Sequence, residues 1–497
     1  MFHIRVTKTA SLSSAVQVVR YNQRKLIVVK HIGSAHNKEE IVALKSIARE
    51  WIEKESKQHS LFPAQKTLTS QFISLDKTQF LGTRYLFIYQ FMIQVFNRFD
   101  FQKLNCDLLT DLVLIRILEP ASLLRSVELL DELFGIKYWR EDFYRRLPHF
   151  IEWKEKVEKY VLSLAKKELK FNFTLIFYDV TTLYFESFKA DDLRKPGFSK
   201  DGKSNQPQIL IGLLVSSEGF PVAYEIYEGN KFEGHTLIPS ISSFQQKYQI
   251  KTLTVVADAA MISIDNIKAL KDNRLSYIVG ARIANLPKSV INEINEKLKP
   301  KDGATIKLET QHGILICDFS AKRYAKDKRE MEKQIIKAEK LLKDPTAAKR
   351  TKFVKSKTKT IFELNKELIE KTEKLLGIKG YYTNLDKVND RTIIARYHDL
   401  WQVEHAFRIA KNDLETRPIY HFKGDPIKVH VMICFMALAV CKYLEIKTGQ
   451  SIKSIIKLFK SVVDARILNI TTGKEFTMRS VVPEEVKDIL KKLKLPY

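Results

Sequence analysis

Three carboxylates occupy positions where an acid needs a reason. Asp179 follows the apolar run Leu-Ile-Phe-Tyr and precedes Val-Thr-Thr; Asp258 follows Leu-Thr-Val-Val-Ala. A charge at the end of a buried strand is costly unless partnered. Two such strand ends can meet side by side in one sheet. Either aspartate alone could merely cap the helix that comes next, but the matched pair argues for a shared task. Glu404 lies in a helical run with Tyr397 seven residues before it and Lys411 seven after. That spacing is close to two helical turns and predicts one common face. Leu400 and Phe407 or Arg408 fill the turns between, so the face is partly apolar and can pack on a sheet, carrying Glu404 toward the aspartates. A surface helix with ordinary ion pairs is the alternative, and it leaves the acid on the apolar stripe unexplained. Hard oxygen donors suit Mg²⁺ or Mn²⁺ rather than zinc. Two such ions roughly 4 Å apart are the usual apparatus for in-line phosphoryl transfer.

The bulk of the chain agrees with a phosphate-bearing partner. Its 497 residues suggest two to four domains and carry a formal net charge of +26, with a pI near 9.6. Such an excess of Lys and Arg is best matched by a polyanion, most commonly nucleic acid. A membrane is the weaker reading. The most apolar stretch, Val429 to Val440, is shorter than the ~20 residues a spanning helix needs and reads as a core helix. The N-terminal MFHIRVTKTASLSS lacks the apolar core of a signal peptide, and a cytoplasmic location is expected. Cys106, Cys317, Cys434 and Cys441 form no C-x-x-C pair, against a disulfide framework or structural zinc. No P-loop is present.

The elements that must position these acids can be read along the chain. Residues 1–60 form a small β/α segment, with strands at Ala15–Tyr21 and Lys25–His31 and an Asn-capped helix at Asn37–Glu55. Residues 61–170 read as helical, broken at Pro120 and stopped at Gly135. The basic, aromatic WREDFYRRLPHF within them suits either DNA docking or a purely structural bundle. From about 172 the pattern turns to strands, a meander and then alternation with helices, which predicts a mixed α/β sheet with helices on its faces. The core is expected over 171–284 and 381–447. Residues 285–380 are expected to interrupt the sheet as a basic insertion. Between Ala321 and Thr360 there are 15 Lys or Arg against 5 Asp or Glu. That run is either a solvated face or a DNA backbone contact. Asp390 is expected to cap one long helix, RTIIARYHDLWQVEHAFRIAKNDLE, and 448–497 forms a C-terminal tail region.

YHDLWQVEHAFRIAK resembles the signature Y-x2-R-x3-E-x6-K of one large branch of bacterial insertion-sequence DDE transposases, with Tyr397, Glu404 and Lys411 in register and Leu400 at the arginine position, between Arg396 and Arg408. FYDVTTLYFES and VVADAAM are similar to the family's first and second aspartate motifs. The intervals also fit: 79 residues from 179 to 258, then 146 from 258 to 404, the longer gap matching an insertion domain. The resemblance covers roughly 170–445. It implies an RNase H-like core with Asp179, Asp258 and Glu404 as ligands of two Mg²⁺ ions, Mn²⁺ able to substitute. It implies double-stranded DNA, as terminal inverted repeats and target, bound by a homodimer. Tyr397, Lys411 and Arg408 are expected to contact that DNA. A nuclease of the same fold, and a DNA-binding derivative without activity, stay open as alternatives.

Overall fold

The structure, a computed structural model, describes all residues except 1, 11–12, 24, 57–76, 173, 187–188, 199–204, 251, 262, 312, 344–351, 357–361, 471 and 497. Two compact units form: one from Met1–Ile93, Leu129–Lys137 and Ser454–Tyr497, the other from Gln94–Glu128 and Tyr138–Lys453.

In the first unit, β1 (Phe2–Lys8), β2 (Ser14–Asn22) and β3 (Lys25–Ala35) make an antiparallel sheet on which α1 (Lys38–Ser56) packs. Val16 and Val18 of β2 meet Leu44 and Ala48 of α1 in its core. Helix α1 starts at a reciprocal cap: Asn37 accepts from the Glu40 N–H at 2.8 Å, and Glu40 accepts from the His36 N–H at 2.7 Å. The sequence predicts short strands over residues 1 to about 35 and delimits β2 and β3, while β1 is left without bounds. A second sheet joins β4 (Thr78–Arg84) to β16 (Asp464–Asn469) and β17 (Glu475–Arg479). Strand β4 thus pairs with strands from the far end of the chain, which no local pattern announces.

Helices α2 (Leu86–Arg98), α3 (Asp107–Leu118), α4 (Leu123–Phe134), α5 (Arg140–Glu152) and α6 (Lys154–Leu169) follow the expected helical stretch. Pro120 separates α3 from α4, and Gly135 ends α4 at φ +73°. The second unit is built on a nine-stranded sheet of β5 (Leu175–Tyr184), β6 (Lys195–Pro196), β7 (Pro207–Val215), β8 (Pro221–Glu228), β9 (Thr254–Ala257), β10 (Ser276–Ala281), β11 (Thr305–Thr310), β12 (Gly313–Phe319) and β15 (Ile378–Thr383). Its path runs β11–β12–β15–β10–β9–β5–β7–β6, and β8 pairs with β7. β5, β9 and β10 are parallel neighbours; β7 and β8 are the antiparallel meander. Between them run α7 (Leu237–Tyr248), α8 (Ile264–Asp272) and α9 (Lys288–Lys297).

The expected interruption of the sheet begins later than 285. β11 and β12 are hydrogen-bonded onto the sheet through β15. The segment that leaves it is α10 (Ala321–Lys343), the hairpin β13 (Val354–Ser356) and β14 (Phe362–Leu364), and α11 (Lys366–Glu373). The charge run is therefore largely a helix. Met331, Ile335 and Ala338 lie along one side of α10 and pack on Phe353, Leu368 and Leu376, leaving the charged side to solvent. After β15 come α12 (Asp390–His398), α13 (Trp401–Arg408), α14 (Gly424–Thr448), α15 (Ile452–Lys460) and α16 (Glu484–Lys492). Helix α14 is the apolar helix of the sequence reading. It is long and apolar enough to cross a membrane by composition, yet nearly all of it is buried against α3, α5, α6 and β8. All four cysteines are buried and free.

Candidate active site

β5 and β9 run parallel with Tyr178 level with Ala257. Asp179 and Asp258 therefore come next, abreast on neighbouring strands. β9 stops at Ala257, and Asp258 opens the turn into Ala259–Met261. β5 does not stop. It stays paired to β7 as far as Tyr184, so Asp179 lies inside a strand rather than at its end, because Val-Thr-Thr-Leu-Tyr keeps the extended backbone.

The Asp258 carboxylate is held through one oxygen. Its Oδ1 accepts from the Ala259 N–H at 2.7 Å and from the Tyr397 hydroxyl at 3.2 Å. On the other side of β9, Val279 of β10 is level with Ala257, so Gly280 is level with Asp258. That glycine admits Tyr397: a Cβ there would run into the Tyr397 hydroxyl and crowd Ala259. Tyr397 is only 6% exposed and packs edge-on against Tyr381, ring centres 4.9 Å apart. The Lys379 Nζ sits 4.6 Å from its ring centre. Burial pushes the Tyr397 hydroxyl well above the usual tyrosine range, and the negative charges of Asp258, Glu404 and Asp179 push it the same way. It remains a proton donor throughout the ordinary pH range. The three acids thus all act on one buried hydroxyl.

Glu404 is exposed on α13 and lines, with Asp258, Tyr397, Lys379 and Arg323, a cleft of about 630 Å³. One turn further along α13, Phe407 sits with Thr181 and Leu183 of β5 around a second pocket. Alternation puts Asp179 on the same strand face as Thr181 and Leu183. Helix α13, which carries Glu404, packs on β5, the strand of Asp179. Asp179 is half-buried and Asp258 exposed. Burial lowers the Lys379 ammonium, and Arg323 adds to this; Asp318, Asp258 and Glu404 oppose it.

Among the described residues no three His, Cys, Asp or Glu side chains converge closely enough to hold a metal ion. The donors are nonetheless of the kind a hard divalent cation takes, carboxylate oxygens with no sulfur at the cleft. The one imidazole lining it, His398, is engaged at Nε2 with the Tyr381 hydroxyl at 3.2 Å.

A family model described as the transposase DDE domain matches residues 171–440, more than half of the 497. The chain belongs to the transposase DDE domain family. Its mixed sheet with flanking helices is accordingly RNase H-like, as the sequence resemblance implied. Members of the family use divalent metal ions. Among solved structures, the chain is similar to the piggyBac transposase in a synaptic complex with hairpin DNA, at 11% identity and a TM-score of 0.39, over 78% of this chain and 71% of that one. No curated protein matches it in sequence.

Within this DDE domain the long helix expected from Asp390 is broken. Asn389, not Asp390, caps α12 by accepting from the Arg391 N–H at 2.9 Å. A turn at Asp399 and Leu400 separates α12 from α13, and Ile409–Asp413 then widens into a π turn, with the Leu414 N–H donating to the Ile409 carbonyl at 3.0 Å. Tyr397, Glu404 and Lys411 therefore do not share one straight face. Tyr397 and Glu404 line the acid cleft; Lys411 lines the second pocket beside Thr181, Leu183 and His430. Arg408 is exposed at the end of α13. Leu400, at the position of the signature arginine, is 7% exposed in the cleft wall. The cations at that cleft are Arg323 of α10 and Lys379 of β15. The sequence reading named neither, nor Gly280. Arg323 was one charge in a run of fifteen, and Lys379 and Gly280 owe their place to strand pairing.

Proposed function

We propose that this transposase cuts the ends of its own mobile element and joins them to target DNA through the cleft of Asp258 and Glu404, with Asp179 as the third acid. The observation that carries the reading is the level placement of Asp179 and Asp258 on parallel neighbours, with Glu404 in the same cleft as Asp258 on a helix that packs on β5. Asp179, Asp258 and Glu404 would hold two divalent ions, Mg²⁺ with Mn²⁺ able to substitute, and these would supply activation of a water or 3′-hydroxyl and charge neutralisation at the departing oxygen.

The chain's own groups prepare that chemistry. Tyr397 donates to Asp258 Oδ1 and fixes the carboxylate, working through Asp258 rather than by touching DNA. Lys379 and Arg323 set positive charge beside the acids, where a phosphodiester must arrive against carboxylate repulsion. Arg408 and Lys411, flanking and within the π turn, serve as DNA backbone contacts. The charged side of α10 extends the electrostatic reach toward duplex DNA. The acting species is a homodimer on the inverted repeats, in the cytoplasm and associated with the nucleoid.

The test is strand cleavage and joining on a DNA fragment carrying the element's ends, with Mg²⁺, comparing the native protein with Glu404→Ala. Cutting and joining by the native protein alone is expected. End binding without cutting by either protein would instead identify a DNA-binding derivative and point to Leu400.

A further inference from the structure

A second concave site lies in the same unit, built by elements the cleavage chemistry does not use. The turn between α3 and α4, the first turns of α5 and the loop ahead of α14 enclose a cleft of about 530 Å³. Roughly 300–1,000 Å³ is the range of small-ligand sites. Arg116, Arg125, Arg140, Tyr144, Tyr420 and His421 line it. Arg116 forms the floor. Its guanidinium is buried and fixed on backbone, donating to the Ala121 carbonyl at 2.8 Å and toward the Leu414 and Glu415 carbonyls at 3.5 and 3.4 Å. Carbonyls do not cancel its charge. Arg140 stands at the mouth, exposed, its guanidinium 5.5 Å from the Tyr144 ring centre. Tyr420 is 60% exposed, and Tyr144 39%.

The positive field is felt inside. Burial drives the His421 imidazole down to about 4, and the charges of Arg116 and Arg140 act in the same sense. His421 is therefore neutral near pH 7 and adds a polar edge without charge, its ring stacked over Phe143 with centroids 5.9 Å apart. Glu415 is the acid among the lining residues.

A concave wall of two solvent-facing tyrosines with arginines at floor and rim matches one chemistry: a flat π-face joined to an anion. We propose that this site takes an unpaired nucleotide of a DNA strand, its base stacked on Tyr420 or Tyr144 and its phosphate held by Arg140; Arg125, beside it on the rim, is paired with Glu128 at 3.0 Å. Stacking on aromatic side chains beside a basic track is how proteins hold single strands without reading sequence. A paired base cannot enter, because its faces are already covered by its neighbours. The site consequently discriminates between duplex and unpaired strand, and it deepens the DNA-processing reading while standing apart from the acid cleft.

The experiment measures binding by fluorescence anisotropy, in the presence of a chelator so that no cutting occurs. The probes are a labelled single-stranded oligonucleotide, the same sequence as a blunt duplex, and a free deoxynucleoside monophosphate as competitor. The proteins are native, Tyr420→Ala and Arg140→Ala, both positions exposed, with thermal melting to confirm folding. Each variant is expected to lose about tenfold in single-strand affinity, with duplex affinity changed much less. An iodouridine in the oligonucleotide is expected to crosslink to Tyr420 or Tyr144. Equal loss on duplex and single strand would overturn the proposal in favour of a general backbone contact. Unchanged single-strand affinity in both variants, or full competition by the free monophosphate at the same concentration as the strand, would overturn it outright. Because cutting is not read, a failed cleavage assay leaves this result intact, and the reverse also holds.

Discussion

Replacing Tyr397 by Phe removes one hydroxyl and keeps the buried ring against Tyr381 and Lys379. Asp258 Oδ1 then keeps the Ala259 N–H as its partner and loses the 3.2 Å bond. A hydrogen bond to a charged group is worth about 1.5–3 kcal/mol. Asp258 is exposed and the bond is long, so the lower end applies, about 1.5 kcal/mol, or roughly tenfold in rate if the bond acts in the transition state. The assay is single-turnover strand cleavage at saturating Mg²⁺ for native, Tyr397→Phe, Gly280→Ala and the double variant. Gly280→Ala places a methyl against the Tyr397 hydroxyl and close to Ala259, an overpacking worth about 1–3 kcal/mol of stability. Removing the hydroxyl relieves part of that collision, so the two changes must couple. The double variant should be less impaired than the product of the single effects. Strict multiplication, or a Tyr397→Phe rate equal to native, would refute the idea that this hydroxyl sets the Asp258 carboxylate.

Asp179→Asn or Asp258→Asn should abolish cleavage while duplex binding in gel shift stays near native; cutting at the native rate would remove the residue from the metal set. Chelation should stop cleavage and Mg²⁺ or Mn²⁺ restore it, read on the same substrate. Neutralising several lysines between Lys322 and Lys359 should weaken duplex binding and flatten the slope of log affinity against log salt; an unchanged slope would make the charged side of α10 a solvated face. Folded His421 titrates near 4 against an ordinary 6.5. The unfolded chain therefore binds the extra proton in that interval, and stability is intact above about 6.5 and declines as pH falls toward 4. The fall in melting temperature over that window should be shallower in His421→Gln than in the native protein.

What the sequence disclosed, and what it hid, divides along a physical line. Asp179, Asp258 and Glu404 stood out in the sequence because apolar runs around an acid are anomalous in one dimension. The continuous apolar run of α14 and the cap at Asn37 were legible for the same reason: each is decided within a few neighbouring residues. Strand β4 was not, since its partner is β16, nearly four hundred residues on. The break at Leu400 was missed because Asp-Leu-Trp keeps helical spacing while tertiary packing, with Leu400 turned into the cleft wall, sets the direction. Gly280 looked like any strand glycine until register set it beside Asp258.

The joint between β12 and β15 has a practical side. Phe319 is level with Ile378, and the Ser320 N–H donates to the Gly377 carbonyl at 2.9 Å. The chain leaves the sheet and re-enters it at one point, like a bracket opened and closed. The described elements between, α10, β13, β14 and α11, carry their own small core, and α11 also reaches the α9 region: the Lys374 ammonium donates to Asn292 Oδ1 at 2.9 Å and the Lys371 ammonium to the Leu286 carbonyl at 3.4 Å. Exchanging this segment for a short turn would leave the β12–β15 register in place and would cost those polar contacts with the α9 region. Arg323 would leave with it while Lys379 stays, which makes the segment a natural graft for retuning how tightly the enzyme grips its substrate without rebuilding its acids.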